Sequence, residues 1–230
     1  MKENAGRANL ADLRVDYTLR RLPDDAAPPS PFELFTSWFE EAVQAIPADA
    51  NAMILSTVKV LSSGVRAAKR APSAPRSRVV LLKAVEEGKF IFFTNYKSQK
   101  GEELAASPAA SLLFFWPALQ RQIRIEGTVV RIPREQSLAY FRTRPRESQL
   151  GAFVSRQSKT VTRERLEAAF EAAKVKFRNK EVPMPLHWGG YALAPELFEF
   201  WQGRPSRLHD RIEYSCSSGK AKWRRRRLSP

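Results

Sequence analysis

The sequence predicts an α+β fold, mainly β and of barrel type, and three observations carry that reading. Stretches rich in branched and aromatic residues recur along the chain, and the one at 121–131 alternates polar with apolar residues, as a strand with one wet and one buried face does. The strand-like stretches follow one another in runs instead of alternating regularly with helices, so a chain of βαβ units is excluded. The helical patterns are few and sit between the runs, where they would form peripheral helices. At 230 residues without an internal repeat the chain suits one domain with a sizeable core, spanning 31–230 behind a polar leading segment.

In order, residues 1–30 are polar and end in Asp24, Asp25, Ala26, Ala27, Pro28 and Pro29, a composition that does not pack by itself and reads as mobile. A helix starts near Pro31, because Phe32, Phe35, Phe39 and Val43, with Leu34, Trp38, Ala42 and Ile46, share a broad helical face; Pro47 ends it. Strands are expected at 52–58, at 78–83 after a long basic stretch, at 89–95 and at 110–116. Ser98 is placed to cap a short helix through Leu104, and Pro117 turns the chain into the alternating strand. Helices follow at 135–142 and 162–177, the second with Leu166, Ala169, Phe170, Ala173 and Phe177 as its apolar set. Separate strands at 190–194 and 197–201, another at 211–214 and a last one around Trp223 complete the chain.

Thirty-nine lysines and arginines against 24 acids give a formal charge of +15, which points to an anionic partner or to charged flanks. Two patches, Arg66 to Arg78 and Lys220 to Arg227, hold much of the excess. The single cysteine, Cys216, excludes an intrachain disulfide and a cysteine-based metal cage. No metal site is expected. No apolar run approaches the ~20 residues of a membrane span, and no signal-peptide core stands at the start, so the reading is a soluble, cytoplasmic protein.

Glycine-rich dinucleotide and Walker loops are absent, as is His-Glu-x-x-His. A phosphate must then be held by side chains on strands and turns. The candidates are Arg78, Lys83, Thr94, Ser98, Lys100, Arg144, Ser148, Ser158 and Arg207, each of which reads equally as a solvated strand-end group. Tyr140, Arg144 and Ser148 are spaced four apart and together suit a dianion, although Pro145 interrupts a helix through them. Gln149, Gln157 and Ser158 lie in a stretch read as loop, where amides suit the edge of a heteroaromatic ring. In the turn from Trp201 to Arg211, an extended backbone would put Arg207, His209 and Arg211 on one side, making an anion site with a titratable group; the alternative is a charged turn held by Asp210.

Taken together, these residues resemble the pyridoxamine 5′-phosphate oxidase family, nearly end to end. The resemblance is carried by Arg78 to Lys83; Phe93, Thr94 and Asn95 with Ser98 and Lys100; Arg121 and Gln122; Tyr140 through Arg144 to Gln149; Val154 to Ser158; Trp188, Gly189 and Gly190; and Glu199 to Gly203 with Arg207 to Arg211. It implies a split β-barrel homodimer with FMN in the subunit interface. It also implies oxidation of pyridoxamine 5′-phosphate and pyridoxine 5′-phosphate to pyridoxal 5′-phosphate, hydride passing to flavin and dioxygen yielding hydrogen peroxide. Carried over by position, FMN falls to Arg78, Val79, Val80, Leu81, Leu82, Lys83, Phe93, Thr94, Lys100, Gln122, Gln157, Ser158, Trp201 and Arg211. Substrate falls to Lys83, Tyr140, Arg144, Ser148, Arg207, Leu208 and His209, with Arg14 and Tyr17 closing the site as a lid. Arg207 and His209 take the catalytic positions over the pyridine ring.

The chain departs from the family in three places. The connection at 59–77 is long and basic, Gln99 stands where arginine is usual, and Arg224, Arg225 and Arg226 make the last strand unusually basic. Gln99 removes a charge from the FMN phosphate site, so weaker FMN retention is expected. Two rival readings remain at this level: a catalytically weak flavin- or pyridoxal-phosphate-binding relative, and a basic nucleic-acid-binding barrel, which predicts strongly salt-dependent polynucleotide binding. No specific nucleic acid is expected on the first reading.

Overall fold

The structure is a computed structural model that describes residues 16–60, 73–216 and 222–230. Its centre is a nine-stranded antiparallel sheet in the order β2-β1-β5-β6-β7-β4-β3, with β8 and β9 added beyond β7. The strands are β1 (Ala52–Val60), β2 (Ser73–Leu81), β3 (Ala84–Glu86), β4 (Lys89–Asn95), β5 (Ala109–Trp116), β6 (Arg121–Arg131), β7 (Trp188–Gln202), β8 (Asp210–Ser215) and β9 (Arg224–Leu228). Helices α1 (Pro31–Ala45), α2 (Gln99–Ala106), α3 (Arg134–Thr143), α4 (Arg146–Val154) and α5 (Arg163–Phe177) lie between them.

Two features turn this sheet into a split barrel. First, β7 is long enough to hold two neighbours along one edge: its first half pairs with β4 and its second half with β8, while β6 runs along the other edge of both. The sheet divides there, at a bulge where the register shifts between Glu126 and Gly127. Backbone crowding demands glycine at the bulge, since a Cβ on Gly127 would stand 2.0 Å from the Ala194 carbonyl oxygen. Second, the segment carrying β2 and β3 changes partners. Leu82 still donates to Asn51 O beside β1, whereas Lys83 donates to Ile91 O on β4, so one bend closes the barrel.

Inside are Met53, Leu55, Leu112, Phe114, Ile123, Ile125, Phe198 and Phe200, all nearly inaccessible, and α1 plugs the barrel with Leu34, Phe35, Trp38 and Ala42. Rings interlock edge to face, as in Phe35 against Phe90 at 4.9 Å and Trp38 against Phe200 at 5.4 Å. A smaller core joins α3, α4 and α5 through Phe141, Leu150, Ala173 and Phe177 around Trp188.

Several expectations are corrected. The strands on either side of the basic connection are longer than the sequence suggests, pairing through Val60↔Ser73, so Lys59 and Arg76 are strand residues. Arg66, Lys69 and Arg70 lie outside the described residues. Residues 190–194 and 197–201 are one strand, because β6 pairs along both with only the bulge between them. Gln149 belongs to α4, a helix the sequence reading missed: Pro145 ends α3 and, being tolerated in a first turn, opens the next helix immediately. Of the apolar set of α5, Leu166 and Ala169 face solvent and only Phe170, Ala173 and Phe177 turn inward. Val43 on α1 is likewise exposed.

The later part of the leading segment makes contacts with β8 and β9. Leu22 is buried and donates its N–H to Asp210, Arg227 donates to Leu22 O, and Tyr214 donates its hydroxyl to Pro28 O. Burial pushes that phenol up to about 12. Among the described residues no helix is long and apolar enough to cross a membrane.

Candidate active site

A concavity of about 770 Å³ opens between β2, β4, the start of α2 and the α3–α4 junction. Its floor is a near-parallel stack in which Phe93 lies 4.0 Å from Tyr140 and 5.3 Å from Trp188. Arg144 caps the stack, its guanidinium 4.8 Å from the Trp188 ring. The break between α3 and α4 makes this possible. Arg144 is the extended residue after α3, and its side chain leaves the helical path that Tyr140 follows. The spacing of four brings Tyr140, Arg144 and Ser148 to one cavity, across two helices and a turn.

The electrostatics of this end suit an anion. Nη1 of Arg144 is buried with no hydrogen-bond partner among the described residues. Burial lowers the Arg144 guanidinium from its ordinary value, with only Tyr140 opposing the shift. Lys83, at the mouth, is lowered by burial and then by the Arg144 charge. Burial raises the Tyr140 phenol, which stays protonated as a donor. Lys83 and Arg144 have no acidic partner among the described residues, and a dianion would offset both charges.

At the other end Lys100 lines this cavity and a smaller one of about 420 Å³ formed by Arg76, Ser77, Arg78, Gln99 and Ser158. Ser98 caps α2 as expected, accepting from Gly101 N. Arg78 is fixed by the buried Glu103: it donates to Glu103 Oε2 at 2.9 Å and to Thr57 Oγ1 at 2.5 Å, while Thr57 donates to the same carboxylate oxygen at 2.6 Å. Gln157 joins the ends, its Oε1 accepting from Thr94 at 3.4 Å and from Lys100 at 3.3 Å.

The structure thus gathers Val79, Val80, Leu81, Lys83, Phe93, Thr94, Lys100, Tyr140, Arg144, Ser148 and Gln157 around one cavity, with Arg78 and Ser158 on the adjoining one. Leu82 is a core residue and lines neither. Arg14 lies outside the described residues. Sequence reasoning gave no role to Trp188, which completes the stack, or to Arg76 and Glu103. For Trp188 the signal is the pair Gly189 and Gly190 after it, whose missing side chains admit Tyr96, Ile132 and Phe93. A buried carboxylate on a short polar helix carries no such signal.

Gln122, Trp201, Arg207, Leu208, His209, Arg211 and Tyr17 form a second group that lines neither cavity. Phe115, Gln122, Trp201 and Arg211 are successive partners across β5, β6, β7 and β8, on the outer face of the barrel. Arg211 donates to Glu199 Oε1 at 2.8 Å, and Arg124 to Oε2 at 2.5 Å. Burial raises Glu199, yet these two arginines hold the carboxyl below its ordinary value.

The turn is not extended, so the expected alternation of Arg207, His209 and Arg211 fails. Ser206 and Arg207 adopt left-handed backbones (φ 57° and 60°), a conformation costing about 1–3 kcal/mol per residue. Asp210 holds the turn, accepting from Leu22 N and from Arg227. Arg204 N donates to His209 Nδ1 at 3.1 Å, which leaves the neutral ring's proton on Nε2. Burial and then the Arg207 charge lower the His209 pKa. Tyr17 packs edge-on to Trp201 at 5.6 Å and to His209 at 5.8 Å, lying over Gly203, where a Cβ would collide with its ring. Arg207 and Leu208 project from this cluster into solvent.

Comparison with known proteins agrees with this architecture. Residues 39–179 match the family model described as pyridoxamine 5′-phosphate oxidase, and residues 188–230 match one described as the pyridoxine 5′-phosphate oxidase C-terminal dimerisation region. A pyridoxine/pyridoxamine 5′-phosphate oxidase of Gloeothece citriformis is 48% identical over 223 residues, covering 96% of this chain and 99% of that protein. One from Pseudomonas putida is 47% identical over 225 residues, with the same coverages. Among solved structures, PhzG of Burkholderia lata, in complex with tetrahydrophenazine-1-carboxylic acid, superposes with a TM-score of 0.77 at 28% identity, covering 90% of this chain and 95% of that one. A pyridoxamine 5′-phosphate oxidase-related, FMN binding protein of Nostoc punctiforme has a TM-score of 0.68 at 16% identity, covering 89% of this chain and all of that one, and so shares the fold.

Proposed function

The chain belongs to the pyridoxamine 5′-phosphate oxidase family, and on that premise we propose that it is an FMN-dependent homodimeric oxidase. Its substrates are pyridoxamine 5′-phosphate and pyridoxine 5′-phosphate, its product pyridoxal 5′-phosphate and its acceptor dioxygen, with hydrogen peroxide formed and ammonia released from the amine.

One observation carries the reading: a single cavity joins two separate cationic ends across an aromatic floor. A flat flavin bearing one phosphate, together with a flat pyridine bearing another, calls for such a donor set. Arg78, Lys100 and Ser158 fit the FMN phosphate, while Thr94 and Gln157 offer hydroxyl and amide groups to the ring edge. What FMN supplies when bound is an acceptor for the hydride leaving the substrate's 4′ carbon, with dioxygen taking the electrons onward.

The chain's own residues bind and orient. Arg144, Lys83, Tyr140 and Ser148 take the substrate phosphate, and anchoring that remote group fixes the pyridine ring in a reactive position. Arg207 serves in positioning and charge stabilisation, not as a base. His209, neutral with its proton on Nε2, donates to a polar ring substituent or moves a proton.

The second group of residues reaches the site from a second copy of the chain. Val79, Leu81 and Phe115 are exposed apolar residues on the face that also carries Gln122 and Trp201, and association would cover them. The high charge does not favour a nucleic-acid face, since Arg225, Arg226 and Arg227 of β9 are engaged with Ala27 O, Glu213 and Asp24.

The test is the visible spectrum of the purified protein, recorded without oxygen before and after pyridoxine 5′-phosphate is added. A flavin spectrum that bleaches supports cofactor, substrate and hydride transfer together. A flavin spectrum that persists indicates a binder without turnover, and a protein that stays colourless when FMN is supplied refutes the proposal.

A further inference from the structure

The smaller cavity contains a charge that neither the family pattern nor the reading above uses. Strand β2 contributes Arg76, Ser77 and Arg78, the first turn of α2 contributes Gln99 and Lys100, and the turn after α4 contributes Ser158. Arg76 and Arg78 are two residues apart on a strand, so both side chains leave the same face. Both meet Glu103, but in different ways. Arg78 is committed: it donates to Glu103 Oε2, to Thr57 Oγ1 and to the Leu55 carbonyl.

Arg76 stands with Nε 3.6 Å from Glu103 Oε1, an ion-pair distance too long for a good hydrogen bond, and that buried oxygen accepts no hydrogen bond among the described residues. Its guanidinium is therefore held near the cavity by charge, with no hydrogen bond from it among the described residues. Arg76, Arg78 and Lys100 against the lone Glu103 leave two positive charges uncompensated, the charge of a phosphate monoester dianion near neutrality. Burial and then Arg78 lower the Lys100 pKa while Glu103 opposes them, which marks a cluster short of negative charge.

We infer that Arg76 supplies the second guanidinium of the FMN phosphate subsite, delivering from β2 the charge that Gln99 does not provide on α2. The inference rests on the FMN reading of this cavity and replaces the expectation that Gln99 weakens retention. The two arginines divide the work: Arg78 is the rigid member, braced by Thr57 and Glu103, and Arg76 is the one free to take a phosphate oxygen.

The experiment titrates flavin-free protein with FMN and with riboflavin, which lacks the phosphate, following the quenching of flavin fluorescence. Arg76→Ala should lose about tenfold or more in FMN affinity, the scale of one charge-assisted hydrogen bond, with riboflavin affinity unchanged. Adding Gln99→Arg to Arg76→Ala should restore FMN affinity, a recovery that general damage to β2 would not allow. An Arg76→Ala protein that binds FMN within about twofold of the parent, or that loses FMN and riboflavin equally, overturns the assignment. A parent that binds neither flavin overturns the FMN reading and this inference with it, and is a distinct result.

Discussion

Arg144→Met should weaken binding of the phosphorylated substrate while leaving the fold as stable as before. Arg144 is half-buried, Nη1 has no partner among the described residues, and the side chain rests on Trp188 and Phe141. For stability, the substitution forfeits a cation–π contact of about 0.5–1 kcal/mol. It also removes a buried donor whose missing bond costs about 1–3 kcal/mol and relieves the repulsion on Lys83. Methionine retains most of the contact with the rings. The melting temperature should therefore stay level or rise slightly. For binding, hydrogen bonds to a charged group contribute about 1.5–3 kcal/mol, so a mid-range loss of about 2 kcal/mol raises KM roughly thirtyfold. The assay compares steady-state kinetics on pyridoxamine 5′-phosphate and on pyridoxamine, beside thermal unfolding. An equal rise in KM for both substrates, or a large fall in melting temperature, refutes the reasoning.

Three further outcomes follow from the geometry. Arg207→Ala should slow turnover with FMN still bound; refolded together in equal amounts and assayed at substrate well below KM, where the Arg144→Met homodimer is nearly silent, the two variants should regain about a quarter of parental activity, because half the dimers are hybrids carrying one intact site. No recovery would mean that each site comes from one chain. The folded-state pKa of His209 lies below its ordinary 6.5, so the unfolded chain takes up the proton first as pH falls. The contribution of the neutral ring to stability is thus present above pH 6.5 and declines as pH falls from there toward the folded-state value. Proton NMR of the two imidazoles, assigned with His187→Gln, should give His209 a midpoint below 6.5, and a midpoint at or above it contradicts the burial and the Arg207 charge that lower it. Finally, Gly127→Ala should cost about 3 kcal/mol or more in denaturant unfolding, since its Cβ would meet the backbone oxygen of Ala194 and not a movable side chain. A loss below about 1 kcal/mol would show that the bulge can shift.

Local chemistry made some of the fold readable. Ser98 capping α2 and Thr162 capping α5 each accept from a backbone N–H three residues on, and Pro31 at the start of α1 has no N–H to satisfy, so short-range pattern suffices. The helix α4 was hidden because its apolar residues, Leu150, Ala152, Phe153 and Val154, crowd into its last turns without a helical stripe and Pro145, a breaker by rule, serves here as a starter. The turn at Arg207 was misread for a related reason. An alternating pattern implies an extended chain only where a neighbouring strand enforces it, and Asp210, Leu22 and Arg227 instead hold this segment in a left-handed turn.

By itself the sequence determined the strand-rich class, the positions of most elements and a tyrosine, arginine and serine trio of a kind that suits a dianion, because periodicity, caps and residue chemistry act within a few residues. Only the tertiary structure decided what those residues become together. The bend at Leu82 and Lys83 closes the barrel, and the bulge at Gly127 splits it. Folding also sorts the candidate residues into an inner cavity and an outer row, and it brings Arg76 beside Glu103 and Gln99. These juxtapositions depend on strand pairing between residues tens of positions apart, and no local pattern encodes the distance between them.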